Sequence, residues 1–426
     1  MKPLHHGTAN EPPRYISRRQ GLAAIAAMVA GGAVTLTGCG GSKTSNGSGS
    51  GDAGASSQDS ADAAAAKAAS TARITITPKD GSANASINNS GQVAISGGTL
   101  TSVTMTTAGG TKVAGALSSD GTSWKPNARL DKATRYSVVV TAKDINSRQT
   151  VEHAAFTTVS PSNSFIGYFT PDDGTTVGVG MPVSINFDKA ISNKKAVQSA
   201  ITVTSSTGQE IVGHWFSETR LDFRANQYWT AGSTVTVKLA LDGVQGATGL
   251  YGVQAKTFSF KIGRSQVSTI DVSAMTMVVR RDGKVLETIP ITAGSPQHTT
   301  YNGVMVISEK YMQTRMNSQT VGLGGEYNIP DVPHAMRLTT SGTFIHGNYW
   351  APVSTFGHQN TSHGCVSSHD AKGAKDPSTP AYWFFTNSLV GDVVIVKNSH
   401  DKTVKPDNGL NGWNLSWSQW QAGSAI

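Results

Sequence analysis

The stretch YSVVVTA, from Tyr136 to Ala142, places an apolar side chain at every second position. A period of two is typical of a β-strand with one buried face. The pattern returns in TVTVKLA, from Thr234 to Ala240. Each stretch is followed by a segment with a central phenylalanine, and Phe156 and Phe258 stand 102 positions apart. This repeat predicts two tandem β-sandwiches.

The two sandwiches are expected to span residues 72–160 and 161–264, and turn signals such as Asp80–Gly81 separate their strands. Their size of about 100 residues is that of an immunoglobulin-like domain. They lack the paired cysteines of antibody domains. No group of side chains in them suggests chemistry, so the sequence leaves open whether they bind a ligand or act only as spacers.

A third β-rich domain is expected over residues 265–398. It contains two strands around the turn Asp282–Gly283 and ends in the strand Gly391–Asn398. A short helix is predicted over Ala381–Leu389. The tail, residues 399–426, holds three of the eight tryptophans and is expected to pack on the third domain. The predicted fold class is therefore mostly β.

The N-terminal segment has the features of a secretory signal, predicted over residues 1–38. Arg14, Arg18 and Arg19 precede the apolar run Gly21–Leu36. A membrane-spanning helix needs roughly 20 apolar residues, and this run is shorter and rich in glycine. The segment is therefore predicted to direct export.

The end of this segment, LTGC at Leu36–Cys39, resembles a bacterial lipobox. The resemblance implies cleavage before Cys39 and lipidation of its thiol; the alternative is a signal peptide that is simply cleaved. SRRQGL, at Ser17–Leu22, is also similar to a twin-arginine signal, and the export route stays open. Residues 39–71 have almost no large apolar side chains, which predicts a flexible lipidated tether.

The composition excludes some partners. The formal net charge is +8, yet only 15% of the residues are charged and basic runs are absent. Such a chain favours an anionic envelope polymer or a membrane surface, whereas nucleic acid is not indicated. The sequence also gives no sign of a cofactor.

The stretch NTSHGCVSSHD contains Cys365, one of two cysteines in 426 residues. If Cys39 is lipidated, Cys365 has no partner for a disulfide, and an exported protein that keeps a free thiol is expected to use it. An imidazole beside a thiol raises the fraction of the thiol that is present as reactive thiolate. His346 ends the predicted strand TFIHG, and a histidine at a strand end near a loop cysteine is a plausible base. The other candidate bases are His358, His363 and His369.

Two other interpretations compete with a catalytic one. Cys365 could be a buried structural residue. A zinc site could be formed by His358, His363, Cys365 and His369, but their spacing matches no common zinc motif and supplies one thiolate. No metal site is therefore predicted.

The composite pattern HGNYW…GHQNTSHGCVSSH resembles the signature of the L,D-transpeptidase catalytic domain, in which a His-Gly or His-Ser step precedes S-H-G-C. The segment GSPQHTTYNGVMVI, at Gly294–Ile307, and the tail GWNLSWSQW are also similar to the family. The resemblance extends from the lipobox to Trp420.

The resemblance implies roles for individual residues. Cys365 would be the nucleophile, His346 the general base and acid, and the carbonyl of Gly347 would orient the imidazole. His363 and Gly364 would shape the loop, with backbone N–H groups around Cys365 forming an oxyanion hole. The implied substrate contacts are Tyr327 on a lid, Ser341 and Gly342, Trp350, and Ser367, where the family commonly carries Asn or Arg.

The activity implied by the resemblance is formation of 3-3 peptidoglycan cross-links through a Cys365 thioester, with release of D-alanine from tetrapeptide stems. The implied inhibitors are β-lactams of the carbapenem type. The enzyme would be lipid-anchored to the outer face of the cytoplasmic membrane, facing the cell wall. Two alternatives stay open: an L,D-carboxypeptidase with the same Cys/His pair, and an inactive cell-wall-binding lipoprotein.

Overall fold

The computed structural model describes residues 69–322 and 324–426. The predicted signal, Cys39 and the tether up to residue 68 lie outside the described residues. Within the described part, no helix is both long enough and apolar enough to cross a bilayer.

The first sandwich consists of two sheets, ordered β1-β2-β5-β4 and β3-β6-β7. Tyr136, Val138 and Val140 alternate inward from β6 and bury their side chains beside Phe156 of β7. The alternation that predicted this strand is therefore confirmed. The strands are β1 (Arg73–Thr77), β2 (Gln92–Ser96), β3 (Gly98–Thr107), β4 (Gly115–Leu117), β5 (Ser123–Pro126), β6 (Arg135–Asp144) and β7 (Gln149–Thr157).

The second sandwich packs the sheets β10-β18-β15-β12 and β13-β14-β11-β9 around a core that contains Phe258, with a small third sheet β16-β17-β8. The predicted strand Thr234–Ala240 is β15 with the same bounds. A six-residue helix, Lys194–Ser199, leads into β12. The strands are β8 (Ser164–Phe165), β9 (Gly167–Thr170), β10 (Thr176–Val177), β11 (Val183–Phe187), β12 (Ile201–Ser205), β13 (Ile211–Trp215), β14 (Arg220–Ala225), β15 (Thr234–Ala240), β16 (Gln245–Ala247), β17 (Leu250–Gly252) and β18 (Ala255–Ile262).

The third domain contains a five-stranded sheet, β21-β20-β19-β27-β22, and a four-stranded sheet, β23-β24-β25-β26. The helix Pro380–Asn387 packs Phe384 and Phe385 into the core between them. Short 3₁₀ turns cover Ser318–Val321 and Val353–Thr355. The strands are β19 (Gln266–Asp271), β20 (Thr276–Arg281), β21 (Lys284–Pro290), β22 (Gly303–Val306), β23 (Glu309–Asn317), β24 (Asn328–Arg337), β25 (Phe344–Asn348), β26 (Val366–His369) and β27 (Val393–Lys397).

The second sandwich and the third domain are packed together through β27. Val393 of β27 belongs to the buried core of the second sandwich. Arg264 at the junction pairs with the buried Asp392, their side-chain atoms 2.8 Å apart. The next residue of β27, Val394, points into the other core, together with Ile345 and Val366. β27 therefore contributes to both hydrophobic cores, and β25 and β26 pack on the core that contains Val394.

The tail contacts the third domain, as expected, and Val404 is buried in that core; its indoles, however, pack on the second sandwich, which the sequence did not predict. Trp413 Nε1 donates to the carbonyl of Gly180 at 2.7 Å, and Trp420 Nε1 donates to that of Val212 at 2.9 Å. Val212 lies on β13, the outer strand of its sheet, where carbonyl groups need partners. The Arg224 guanidinium carbon lies 4.4 Å from the Trp420 ring centroid.

Besides Val404, two amide side chains of the tail contact the third domain. Asn414 Oδ1 accepts from the Val304 N–H at 2.8 Å, and Asn411 Oδ1 accepts from the Val306 N–H at 3.0 Å. The tail, with its 3₁₀ turn Gly412–Asn414 and helix Trp417–Ala422, therefore joins the two domains.

Candidate active site

Cys365 stands immediately before β26, in a loop held by its own serine. Ser362 Oγ donates to the Cys365 carbonyl at 2.5 Å and accepts from the Gly364 N–H at 3.2 Å. Gly364 has φ +106°, a conformation that side-chain-bearing residues rarely adopt. The loop sequence thus fixes the backbone position of Cys365 at the start of β26.

Strand register brings His346 to the same face as Cys365. β25 and β26 pair in parallel, with His346 opposite Ser367. Paired residues point to the same side of a sheet, and so do residues two apart on one strand. Cys365 precedes Ser367 by two positions, so all three side chains share one face. Ile345 and Val366 point the other way, into the core.

The imidazole of His346 is oriented by the next residue. His346 is 6% exposed, and its Nδ1 donates to the Gly347 carbonyl at 2.8 Å. This hydrogen bond leaves Nε2 as the proton-accepting nitrogen. Trp350 stacks on the ring, with centroids 5.8 Å apart and planes 21° apart. The role that the resemblance implied for the Gly347 carbonyl agrees with this geometry.

Sequence reasoning missed three connected buried residues near His346, namely Asp370, His334 and Thr379. A Cβ on Gly347 would lie 1.9 Å from Oδ2 of Asp370, so only glycine fits beside this carboxylate. Asp370 is 1% exposed, and its Oδ2 lies 2.7 Å from His334 Nδ1. Thr379 Oγ1 donates to Oδ1 at 3.0 Å. The one available signal was a glycine inside a strand, which marks close approach of another group.

Replacing Gly347 with alanine is expected to disturb both the fold and the site. The new methyl group must displace a buried, hydrogen-bonded carboxylate or shift the carbonyl that orients His346. Overpacking of this kind costs about 1–3 kcal/mol, and misplacement of a catalytic group by about 1 Å can cost roughly 100-fold in rate. Thermal melting and the rate of carbapenem acylation measure the two effects. Gly109→Ala is the matched control, because its new Cβ would meet only Thr107 Oγ1, at 3.8 Å; a Gly347→Ala protein that acylates at the wild-type rate would refute the explanation.

Six of the predicted site residues line one cavity of about 280 Å³. Met316 and Ile329 of the hairpin β23–β24 also line it, and this hairpin is the segment that was expected to form a lid. The predicted residues that line the cavity are Tyr327, His346, Trp350, His363, Cys365 and Ser367. Asn348, which sequence reasoning missed, also lines it and donates from Nδ2 to Ser367 Oγ at 3.3 Å.

Ser341 and Gly342 do not line this cavity. They lie in the turn between β24 and β25, where Ser341 Oγ accepts from Asn408 Nδ2 at 2.8 Å. Gly342 borders a neighbouring cavity of about 170 Å³ that shares Tyr327 and Met316 with the first. Its carbonyl accepts a hydrogen bond from Cys365 Sγ at 3.6 Å. Their contact with substrate stays a prediction.

The alternative zinc set is not assembled. His358 is exposed, and His369 lies against Phe356, with ring centroids 5.9 Å apart. His363 is placed near Glu326 of the lid, with Nε2 and Oε2 3.0 Å apart. Neither His358 nor His369 joins a three-residue group of possible ligands within the described residues.

Burial sets the resting protonation of Cys365 and His346. It raises the pKa of the Cys365 thiol to about 11, against smaller opposing effects of the Phe344 N–H and the Arg337 charge. It also lowers the pKa of His346 to about 4, partly offset by the Gly347 hydrogen bond and the Asp370 charge. At neutral pH both groups are therefore uncharged, and His346 can take the thiol proton as sulfur attacks.

The pKa values predict a distinctive pH profile for alkylation of Cys365 by iodoacetamide. Thiolate is the reactive form, so the rate should rise about tenfold per pH unit from pH 7 towards pH 10. A profile that levels off below pH 8 would show a resting thiolate instead.

The rate of carbapenem acylation, assisted by neutral His346, should be constant above about pH 6 and fall as the pH drops through about 4. A Cys39→Ala background removes the other thiol.

The assembled group can perform acyl transfer. It combines a nucleophile, a base whose accepting nitrogen is defined, and a mostly apolar cavity covered by a lid. Covalent catalysis of this type needs a thiol and a base on one face, with a third group that orients the base.

The chain is similar in sequence to known proteins. Residues 265–396 match the family described as the L,D-transpeptidase catalytic domain, and residues 82–245 match a bacterial Ig domain. L,D-transpeptidase 2 of Mycobacterium tuberculosis (strain CDC 1551 / Oshkosh) is 32% identical over 358 residues, 83% of this chain and 85% of that protein. L,D-transpeptidase 5 of M. tuberculosis (strain ATCC 25618 / H37Rv) is 30% identical, over 83% and 77%. A solved L,D-transpeptidase in complex with imipenem is 27% identical with a TM-score of 0.46, covering 56% of this chain and 100% of that one.

Proposed function

This chain belongs to the L,D-transpeptidase family of acyltransferases, and on that premise we propose that it joins the third residues of neighbouring peptidoglycan stems through a thioester on Cys365. The observation that carries the proposal is the shared face of Cys365 and His346 in one lidded cavity, with His346 Nδ1 bound to the Gly347 carbonyl.

In the first half-reaction, Cys365 Sγ attacks the carbonyl carbon of the third stem residue. His346 Nε2 takes the thiol proton as the carbon–sulfur bond forms. The bond to the terminal D-alanine then breaks, and His346 returns the proton to the leaving amine. The product is a thioester and free D-alanine, with no net change in protons on the enzyme.

In the second half-reaction, the side-chain amine of a diamino acid on a neighbouring stem attacks the thioester. His346 takes a proton from the amine and delivers it to the departing sulfur. The thiol is regenerated, and an amide links third residue to third residue. His346 thus acts alternately as base and acid. Its Nδ1 stays hydrogen-bonded to the Gly347 carbonyl while Nε2 takes up and releases the proton.

The lid supports a preference for an amine over water. Met316 and Ile329 give the cavity an apolar lining from the hairpin, and Tyr327 lines it beside His363, with ring centroids 5.0 Å apart. Excluding water protects a thioester until an amine arrives. Burial raises the pKa of the Tyr327 phenol to about 12, so it stays a neutral hydrogen-bond donor near the thiol.

Carbapenems fit the same chemistry. Attack of Cys365 on the strained lactam carbonyl opens the ring, and the amide nitrogen that leaves stays attached to the product. Because this nitrogen stays attached, no leaving group diffuses out of the cavity. Because the lid excludes water, hydrolysis of the acyl-enzyme is slow. We therefore expect stable one-to-one acylation of Cys365.

For localisation, the supporting feature is the lipobox-like Leu36–Cys39 after a basic and apolar start. Lipidation of Cys39 with more than one acyl chain would hold the enzyme at the outer face of the cytoplasmic membrane, facing the wall. A single acyl chain would bind the membrane only weakly. Fractionation and intact mass of the cellular protein test this. A wild-type protein without added lipid mass, or a Cys39→Ala protein still in the membrane fraction, would contradict the anchor.

Product analysis tests the proposed reaction. The full chain is incubated with a tetrapeptide stem as donor and a second stem with a free side-chain amine as acceptor. Mass spectrometry should find a cross-linked dimer together with free D-alanine. D-alanine and tripeptide without dimer would identify an L,D-carboxypeptidase instead, and absence of both products would contradict enzymatic function.

A further inference from the structure

Three potential metal ligands converge beside the cavity that Cys365 lines, and one of them, His363, lines that cavity as well. The Nε2 atoms of His298 and His363 lie 3.2 and 3.0 Å from the same oxygen of Glu326, Oε2. The three ligand atoms all lie within 4.8 Å of one another. The side chains are 30%, 34% and 44% exposed for His298, His363 and Glu326, so solvent and ions can reach them. The proposed reaction assigns no role to His298 or Glu326.

The spacing is close to that of a tetrahedral zinc site. With metal–ligand distances of about 2.0–2.1 Å, neighbouring ligands of a tetrahedron stand roughly 3.3 Å apart. The two histidine–glutamate distances, 3.2 and 3.0 Å, are slightly shorter than this. The remaining change is a closer approach of the two imidazoles, whose ring centroids are 4.9 Å apart. Two histidines and one glutamate, with a fourth position for water, form an established zinc ligand set.

The donor types select among metals. Two imidazole nitrogens favour zinc and its first-row neighbours, whereas magnesium and calcium prefer oxygen ligands. We propose that His298, Glu326 and His363 form a binding site for a divalent transition metal of the zinc class. This site is separate from the cysteine, since Cys365 is not part of the cluster.

The three ligands come from three segments that surround the nucleophile. His298 lies in the loop between β21 and β22, Glu326 lies on the lid, and His363 is two residues before Cys365. A bound ion would cross-link the lid to both loops. Tyr327 follows Glu326 and lines the cavity, so a fixed lid narrows the route to the thiol. Metal binding should therefore slow access to Cys365 without any bond to sulfur.

Binding is measured directly on the untagged full chain. Zn²⁺ is titrated by calorimetry and Co²⁺ by visible absorption, which reports ligand type. The site should bind one ion per chain, with a cobalt spectrum that lacks the intense near-ultraviolet band of a thiolate ligand. Cys365→Ser should bind equally well. Since outer-shell changes at metal sites cost about 10–100-fold in affinity, loss of a ligand in His298→Gln or Glu326→Gln should cost at least about tenfold.

A kinetic measurement separates the lid effect from attack on the thiol. Zn²⁺ should slow carbapenem acylation of the wild type and of the control His400→Gln, but not of His298→Gln. Unchanged affinity in both ligand variants, absence of binding, or loss of binding in Cys365→Ser would overturn the site. Equal slowing of wild type and His298→Gln would overturn the lid effect and place the inhibitory ion on the cysteine. Because binding is read without turnover, failure of the proposed reaction would not affect this result.

Discussion

Replacing Cys365 with alanine is expected to reduce cross-linking and carbapenem acylation by about 10,000-fold or more, to background. The substitution removes the atom that forms the thioester, and no other described cysteine is present. Ser362, a hydroxyl of the same loop, donates its proton to the Cys365 carbonyl and is not placed to act as a nucleophile. Product analysis by mass spectrometry and intact mass after carbapenem addition measure both losses.

Cys39→Ala is the matched control, because it makes the same chemical change at the other cysteine. In an assay with soluble stems, this variant should keep wild-type cross-linking. Circular dichroism and thermal melting establish that Cys365→Ala is folded, since removal of one sulfur beside Ala335 and Phe344 leaves only a small void. A folded Cys365→Ala protein that still forms dimers would remove the thiol from the mechanism.

Replacing His346 with glutamine is expected to lower the rate of acylation by roughly 100- to 10,000-fold, the range for loss of a general base. Glutamine has similar volume and can hydrogen-bond, but it cannot accept the thiol proton at Nε2. Because burial holds the thiol pKa at about 11, the variant at neutral pH must rely on a very small thiolate fraction. Its remaining activity should therefore increase with pH, whereas that of the wild type stays flat above about pH 6.

Stopped-flow measurement of carbapenem acylation between pH 5 and pH 9 distinguishes the two profiles. His400→Gln changes an exposed histidine at the start of the tail and should leave the profile unchanged. A His346→Gln protein that reacts within threefold of the wild type, with the same pH profile, would show that another group removes the proton.

The sandwiches were predictable because their strands bury one face. Val235, Val237 and Leu239 alternate with exposed or half-buried residues along β15, so periodicity alone fixed its bounds. The helix of the third domain was predicted over Ala381–Leu389 but covers Pro380–Asn387. It ends early because Ser388 is extended and the Leu389 N–H donates to Asp392 Oδ2 at 2.8 Å. This contact reflects tertiary structure and leaves no local signal.

The same distinction applies to the site. Local signals made Cys365 and His346 candidates, and the family resemblance singled out His346 among four histidines. The expected strand end was wrong in detail, because His346 lies in the middle of β25. Asp370 was not identifiable, since its function depends on the pairing of β25 with β26 and on His334, 36 positions away. The placement of the tail on β13 likewise depends on unpaired carbonyls of an edge strand that its own sequence does not encode.

Intact mass of the full chain during turnover tests the central claim most directly. The protein is mixed with tetrapeptide stem alone, quenched in acid at short times, and mapped by peptide digestion. We expect the mass of one tripeptide-stem acyl group on Cys365, with one free D-alanine per adduct, and loss of the adduct when an acceptor amine is added. An adduct on another residue, or cross-linked product formed without any adduct on Cys365, would contradict the thioester mechanism.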